Sequence, residues 1–511
     1  MVIYKTKPYK HQKDFLEKHQ FAGREYYALL PEMGTGKTKI IIDDVANLWL
    51  EGKCHSLLVF APNNVHYNWL REIKIHMLDE VHYQMAAWTA NGKKADKIEI
   101  EKLYKVDGNF INRKITLNDL RPSLRILTMN WESLQNKKGV EAAERFLLSS
   151  KDLMIVCDES DSAKNPRAKR TKNLMKLGKH KNCIYRRIMT GTPINNSPED
   201  AFSQYNFLHK SILNISSFWA FKSEFCELLS PDDPVMFAIR QKTNRIPQVV
   251  AKDSNGKPKY KNLDKLSALI APHSFRILKK DCLDLPDKVY KTIYFDLTKQ
   301  QKAIYSRMED ECRMIFENEE TPVSKLTAIG KLSQITSGYY LHPDAKGPVR
   351  IEGPTPKLDL LMGRVRSIVD SGNKVIIWAR YRVEIADIVA RLKGEKIKCV
   401  ELHGGIKQKD RMDAIDAFEH EDIPVFVGNQ QAGGTGITLV AASYVIYFSN
   451  SFSLRNRLQS EDRAHRIGQT KKVTYINIAA KNTVDEIVID SLLNKKDVAE
   501  TIIDKGLEMF R

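Results

Sequence analysis

Few cysteines, no long apolar stretch and no leader set the first limits on this sequence. Its seven cysteines are scattered over 511 residues and form neither a CxxC pair nor a zinc-finger spacing. That excludes a disulfide scaffold and a structural zinc module, and it predicts a reducing compartment. No apolar run reaches the ~18 residues needed to cross a bilayer. The N-terminus, MVIYKTKPYKHQ, is too polar for a secretory leader. Short-period repeats and low-complexity tails are also missing, which removes solenoids and disordered tails from consideration. These absences predict a soluble, cytoplasmic chain with no membrane contact. Acids are the minority charge, 63 against 81 Lys and Arg, for a formal net charge of +18.

What is present is ordinary in bulk and informative in order. At 42% apolar and 28% charged the composition is that of a folded protein. At roughly 100–200 residues per domain, the length allows two to four domains. The positive excess favours a polyanionic partner, because phosphate backbones bind Lys and Arg and release counterions. Residues 162–181 hold eight Lys or Arg and no acid, and KDSNGKPKYKNLDK (252–265) forms a second basic stretch with loop composition. Either run alone reads as a solvated surface.

Short β-branched and aromatic runs alternate with helical patterns, first at 26–30, 57–62, 125–130, 153–159 and 183–193. The rhythm returns at 374–380, 398–404, 423–429, 443–450 and 473–480. Runs that are apolar on both faces and separated by helices are what buried parallel sheets require. Ile385, Ile388, Val389 and Leu392 recur at helical spacing, as a crossover helix would. The expected fold class is therefore α/β in two lobes. Residues 1–290 form the first, with a motif core over 8–210 and a helical insertion over 211–285. Residues 291–511 form the second, with its core over 356–500 and the boundary near LPDK (285–288).

LLPEMGTGKTKIII (29–42) reads as a strand end, a glycine turn and a helix start. Gly34, Thr35 and Gly36 let the backbone curl around phosphate oxygens, and the amides at the helix start attract negative charge. Lys37 would reach the β- and γ-phosphates and the Thr38 hydroxyl would ligate magnesium. Pro31 stands where the first glycine of the full phosphate-loop pattern belongs. The complementary half is DESD, at the end of the run LMIVC: Asp158 to hold magnesium and Glu159 to polarise the attacking water. Far downstream, Gln459, Arg463 and Arg466 stand four and three residues apart, which predicts one helix face. Two guanidiniums there can act as arginine fingers, worth ~10³–10⁵ in turnover.

With these residues assembled, the chain resembles the Swi/Snf-type ATPases of helicase superfamily two, from Tyr9 to about Val488. PYKHQKDFL resembles the adenine-reading opening motif, with Gln12 as its glutamine; LLPEMGTGKT resembles motif I. LLVFAPNNVHYNWLREI resembles motif Ia, RILTMNWESL motif Ib, and IVCDESDSAKN motif II. MTGTPINNSPEDAF is similar to motif III, KVIIWARY to IV, GGTGITLVAASYVIYFSN to V and SEDRAHRIGQTKKV to VI. The resemblance implies two tandem RecA-like lobes, ATP and magnesium as cofactors, and DNA as partner, whether duplex, forked or branched, ahead of RNA. It also implies phosphate contacts near Asn130, Thr192 and Thr435, and a coupling set of Asp161, Thr190 and Gln459. Asp161 stands where DEAH-type motors carry histidine; as an acceptor it can take a hydrogen bond from Thr190 or the Gln459 amide. After motif V, Phe452, Ser453 and Leu454 replace the family's tryptophan and Asn-Pro, wording that resembles compact phage and bacterial members.

The expected function is ATP-dependent translocation along DNA, in phage or bacterial replication, recombination or repair. A strand-separating or branch-migrating helicase, and the motor half of a restriction or defence complex, remain alternatives. A binding protein without hydrolysis is disfavoured by Lys37, Thr38, Asp158, Glu159 and both arginines.

Overall fold

The computed structural model describes residues 2–17, 25–63, 65–90, 92, 94–104, 123–191, 197–243, 248–253, 258–282, 285–317, 322–341, 347–406, 408–433, 437–451, 453–489 and 492. The chain divides into two compact units, Met1–Cys282 and Leu283–Lys496.

The first unit is built on a seven-stranded sheet. Its strands are β1 (Tyr26–Leu29), β2 (Ser56–Ala61), β3 (Tyr83–Trp88), β4 (Leu124–Asn130), β5 (Leu153–Asp158), β6 (Cys183–Met189) and β7 (Ser274–Phe275). They lie in the order β3-β4-β2-β5-β6-β1-β7, and every pairing is parallel. The apolar runs explain the arrangement. Along β5, Leu153, Ile155 and Cys157 enter one core cluster while Met154 and Val156 enter the cluster on the opposite face. A strand buried on both faces has no room for a polar residue until its end, which Asp158 occupies. Truncating Ile155 to alanine would cost about 2–5 kcal/mol on this burial.

The second unit repeats the design with β8 (Lys288–Phe295), β11 (Lys374–Trp378), β12 (Cys399–Leu402), β13 (Val425–Gly428), β14 (Ala442–Tyr447) and β15 (Val473–Ala480). Their order is β12-β13-β11-β14-β15-β8, again all parallel. Val375 and Ile377 of β11 face one core; Ile376 and Trp378 face the other. The expected crossover helix spans Arg382–Gly394 and buries Ile385, Ile388, Val389 and Leu392. A separate antiparallel pair joins β9 (Tyr339–Leu341) to β10 (Pro348–Arg350).

Five strands had no counterpart in the sequence reading: β3, β7, β8, β9 and β10. The stretch between the motif cores is helical, with helices Phe218–Phe225, Pro234–Thr243 and Leu263–Ile270. The basic stretch at 252–265 is less purely a loop than its composition suggests. Lys252 and Pro258 form an isolated bridge, Tyr260 bridges to Cys226, and Leu263 starts a helix. Among the described residues no helix is long and apolar enough to cross a membrane.

Candidate active site

The phosphate-loop residues follow β1. Gly34 and Gly36 take φ of 80° and 83°, the left-handed conformation that glycine adopts without a Cβ penalty. Gly36 caps the helix Lys37–Leu50, so unsatisfied amides face outward at an electropositive helix start. The Thr35 hydroxyl donates to the Glu32 carbonyl at 2.6 Å, and Lys37 Nζ folds back to the carbonyls of Pro31 (3.0 Å) and Glu32 (3.4 Å). The loop is held from below by the opening motif. Gln12 accepts from Tyr9 N at 2.9 Å and donates to the Gly36 carbonyl at 3.2 Å and the Thr35 carbonyl at 3.4 Å. His11 Nε2 donates to the same Thr35 carbonyl at 2.8 Å, and burial lowers the His11 pKa. A Cβ on Gly36 would stand 2.3 Å from Gln12 Nε2. Gln12 is thus placed as a brace of the loop.

At the end of β5 the Asp158 carboxylate is 6% exposed, and Oδ2 accepts from Trp69 Nε1 at 2.9 Å. Trp131 Nε1 donates to the Asp158 carbonyl, also at 2.9 Å. Glu159 turns the chain with φ 52° and ψ 58°, an uncommon conformation for a non-glycine residue. The segment after β6 connects the two halves of the site. Thr190 N donates to the Leu29 carbonyl at 3.1 Å, and the Thr190 hydroxyl donates to Glu159 Oε2 at 3.4 Å. A Cβ on Gly191 would lie 3.7 Å from Lys37 Nζ. Arg276 Nη1 clamps this junction by donating to the carbonyls of Leu30 (2.9 Å) and Gly191 (3.0 Å). Asp161 lies buried on the 3₁₀ turn Ser160–Ala163.

Magnesium fits this donor set. It binds through one or two carboxylates together with phosphate oxygens rather than in an all-protein cage. Asp158 would supply the carboxylate and half-buried Thr38 a hydroxyl, and no cluster of three or more His, Cys, Asp or Glu ligands exists among the described residues.

In the second unit the helix Leu454–Ala464 is capped by Ser453 Oγ, which accepts from Asn456 N at 3.3 Å. It carries Gln459, which is buried, and Arg463. The expectation of one shared helix face needs correction for Arg466, which lies beyond the helix end. There Gln469 Nε2 donates to the carbonyls of Val440 (3.0 Å), Ala442 (2.9 Å) and Ala464 (3.2 Å), and Gly468 turns with φ 99°. The arginines nevertheless meet: Nη1 of Arg463 and Nη1 of Arg466 donate to the same Ile437 carbonyl, at 3.2 and 3.3 Å.

Beneath that segment lies a buried polar network. Arg457 donates to Glu461 Oε1 (2.8 Å), Asn450 Oδ1 (2.9 Å) and Asn477 Oδ1 (2.7 Å), with its guanidinium 3.5 Å from the Tyr447 ring centre. Glu461 Oε2 accepts from Tyr290 OH (2.7 Å) and Lys288 Nζ (3.3 Å) of β8. Burial pushes the Glu461 pKa up, but Lys288 and Arg457 overrule it and hold the carboxyl below its ordinary value.

Of the residues expected near nucleic-acid phosphates, Thr192 and Thr435 lie outside the described residues. Asn130 accepts from Ser133 N at 3.0 Å, as a helix cap, and donates to Asn63 Oδ1 at 2.6 Å.

Comparison with known proteins agrees with this layout. The SNF2-related domain matches residues 27–339, and the helicase conserved C-terminal domain matches residues 357–468. The chain belongs to the SNF2-related family. It is 26% identical over 503 residues to the chromodomain-helicase-DNA-binding protein 3 homolog of Caenorhabditis elegans, covering 94% of this chain and 26% of that one. It is 26% identical to the SWI/SNF chromatin-remodeling complex subunit snf22 of Schizosaccharomyces pombe, covering 94% of this chain and 27% of that one. With the ATP-dependent helicase MG018 of Mycoplasma genitalium it shares 25% identity, over 97% of this chain and 42% of that one. This SNF2-related chain therefore spans a quarter to less than half of these curated relatives. The Sulfolobus solfataricus SWI2/SNF2 ATPase core in complex with dsDNA aligns over 99% of this chain and 96% of that one, at 24% identity and a TM-score of 0.39.

Sequence reasoning gave no role to Trp69, Trp131 or Arg276 of this SNF2-related chain. The two tryptophans stand 89 and 27 residues from the aspartate they hold. The available signal was chemical rather than positional, since a buried indole N–H must find an acceptor.

Proposed function

We propose that this chain is a DNA-stimulated ATPase that translocates along DNA. The observation that carries the proposal is the junction at Thr190 and Gly191, which brings Lys37 of the phosphate loop and Glu159 of the acidic strand end against one segment. A phosphate loop supported by Gln12 and His11 would bind ATP through the Gly34–Thr38 backbone, with Lys37 exchanging its carbonyl partners for phosphate oxygens. Thr38 and Asp158 would hold magnesium, which when bound would supply positive charge to the nucleotide phosphates. Glu159, its carboxylate fixed by Thr190, orients and polarises the attacking water. Arg463 and Arg466, already converged on one carbonyl, supply positive charge where the transferring phosphoryl group becomes most negative. Because these groups come from separate units, hydrolysis depends on their meeting, and Asp161, Thr190 and Gln459 carry that dependence into movement.

DNA would be held by backbone contacts, without base reading, with Asn130, Thr192 and Thr435 as candidate phosphate contacts. The wording at 452–454 supports a place among compact phage and bacterial members, working on duplex, forked or branched DNA in replication, recombination or repair. The test is ATPase activity measured across single-stranded, duplex, forked and four-way DNA and RNA. Stimulation by DNA above RNA is expected. A rate indifferent to every nucleic acid would falsify the proposal.

A further inference from the structure

We propose that Trp69 is a positioning residue that sets how tightly this site holds magnesium. The inference rests on Asp158 being the metal-binding carboxylate, and it gives the indole a function of its own.

Trp69 lies in the helix Val65–His76 and is 1% exposed. Its Nε1 donates to Asp158 Oδ2 at 2.9 Å. An indole has one N–H and no acceptor, so the bond has a single direction. Trp131, equally buried at 1%, donates to the main-chain carbonyl of the same aspartate at 2.9 Å. Side chain and backbone of Asp158 are therefore each held by a tryptophan from a different element.

The strand does not require this arrangement. β5 is already paired on both sides, with β2 and with β6. Strand pairing fixes where the Asp158 Cα lies but leaves the carboxylate plane open, because the terminal torsion of aspartate is broad. The Trp69 N–H selects one orientation, in a place too dry for water to substitute. Any metal bound by Asp158 thus shares its carboxylate with a fixed donor. Partners that orient metal-ligating groups in this way are typically worth 10–100-fold in metal affinity.

The test uses the full chain with Trp69→Phe, which keeps an aromatic ring and deletes the N–H. A fluorescent ADP is titrated at graded free magnesium and in EDTA, and the magnesium-dependent gain in nucleotide affinity gives the magnesium constant. We expect unchanged nucleotide affinity in EDTA and a magnesium constant weaker by about ten- to hundredfold. An unchanged magnesium constant overturns the inference. So does an equal loss with and without magnesium, which would assign Trp69 to packing alone. Failure of the unaltered chain to bind nucleotide would instead remove the proposed function, and its own titration shows that separately. If Trp69→Phe does not fold, genetically encoded benzothienylalanine at position 69 replaces the N–H by sulfur in an isosteric ring, with the same outcomes deciding.

Discussion

Replacing Arg457 by methionine probes the network under the arginine-bearing helix. Arg457 is 8% exposed and makes three side-chain bonds of 2.7–2.9 Å, one of them to Glu461. Removing it leaves Glu461 buried, with Lys288 at 3.3 Å and Tyr290 at 2.7 Å as remaining partners. Breaking a buried ion pair from one side costs about 3–5 kcal/mol, and the surviving Lys288 contact argues for the lower end. A domain of roughly 150–250 residues loses about 2–4 °C per kcal/mol, so the second unit should melt about 6–12 °C lower. The pH dependence follows from the depressed Glu461 pKa. Its stabilisation is present above the unfolded pKa and is lost as pH falls through the folded one. The gap between the two proteins should therefore be widest near neutrality and close on acidification. Calorimetry at pH 7 and in acid measures both. An unshifted melt at pH 7, or a gap that widens in acid, refutes the reasoning.

Further expectations concern the first unit. Glu159→Gln should retain nucleotide binding and lose about 10²–10⁴ in single-turnover hydrolysis; near-normal turnover would move the catalytic base elsewhere. Gly36→Ala adds a Cβ 2.3 Å from Gln12 Nε2 in a left-handed conformation. The conformational strain alone is about 1–2 kcal/mol, so fluorescent-nucleotide titration should show affinity about tenfold weaker or worse, and unaltered affinity would contradict the brace. Burial lowers the His66 pKa from 6.5 to about 4, with the Pro62 carbonyl offsetting part of the effect. The unfolded chain then binds the proton first, so stability falls as pH drops from 6.5 towards 4. Acid melts of His66→Leu should show a flatter first-unit profile over that window; a profile identical to the parent's removes His66 as the cause.

Most strands legible in the sequence have neighbours on both sides, where burial on both faces leaves only apolar residues, as in β5 and β11; the edge strand β12, paired only with β13, is the exception. The strands missed are edges. β3 pairs only with β4, β8 only with β15, and their exposure admits Gln84, Lys288 and Lys291 into the pattern. KVYKTIYF therefore carries no continuous apolar run, although it seats Lys288 and Tyr290 on Glu461. The phosphate loop and acidic pair were legible because local sequence spells them: glycines turn, and the apolar run of β5 gives way to acids at its end. Arg466 was misplaced because the Gln469 side chain ends the helix by capturing three carbonyls, a long-range act without local spelling. Gln12 carried an adenine-reading expectation from resemblance alone, and the fold adds its bonds to the loop.

Displacement of a third strand from duplex DNA tests the central claim most directly, because it reports movement without requiring strand separation. The unaltered chain should displace the strand with ATP, and Glu159→Gln should bind DNA and nucleotide yet leave the triplex intact. Displacement that proceeds equally without ATP, or equally well with Glu159→Gln, would contradict the account.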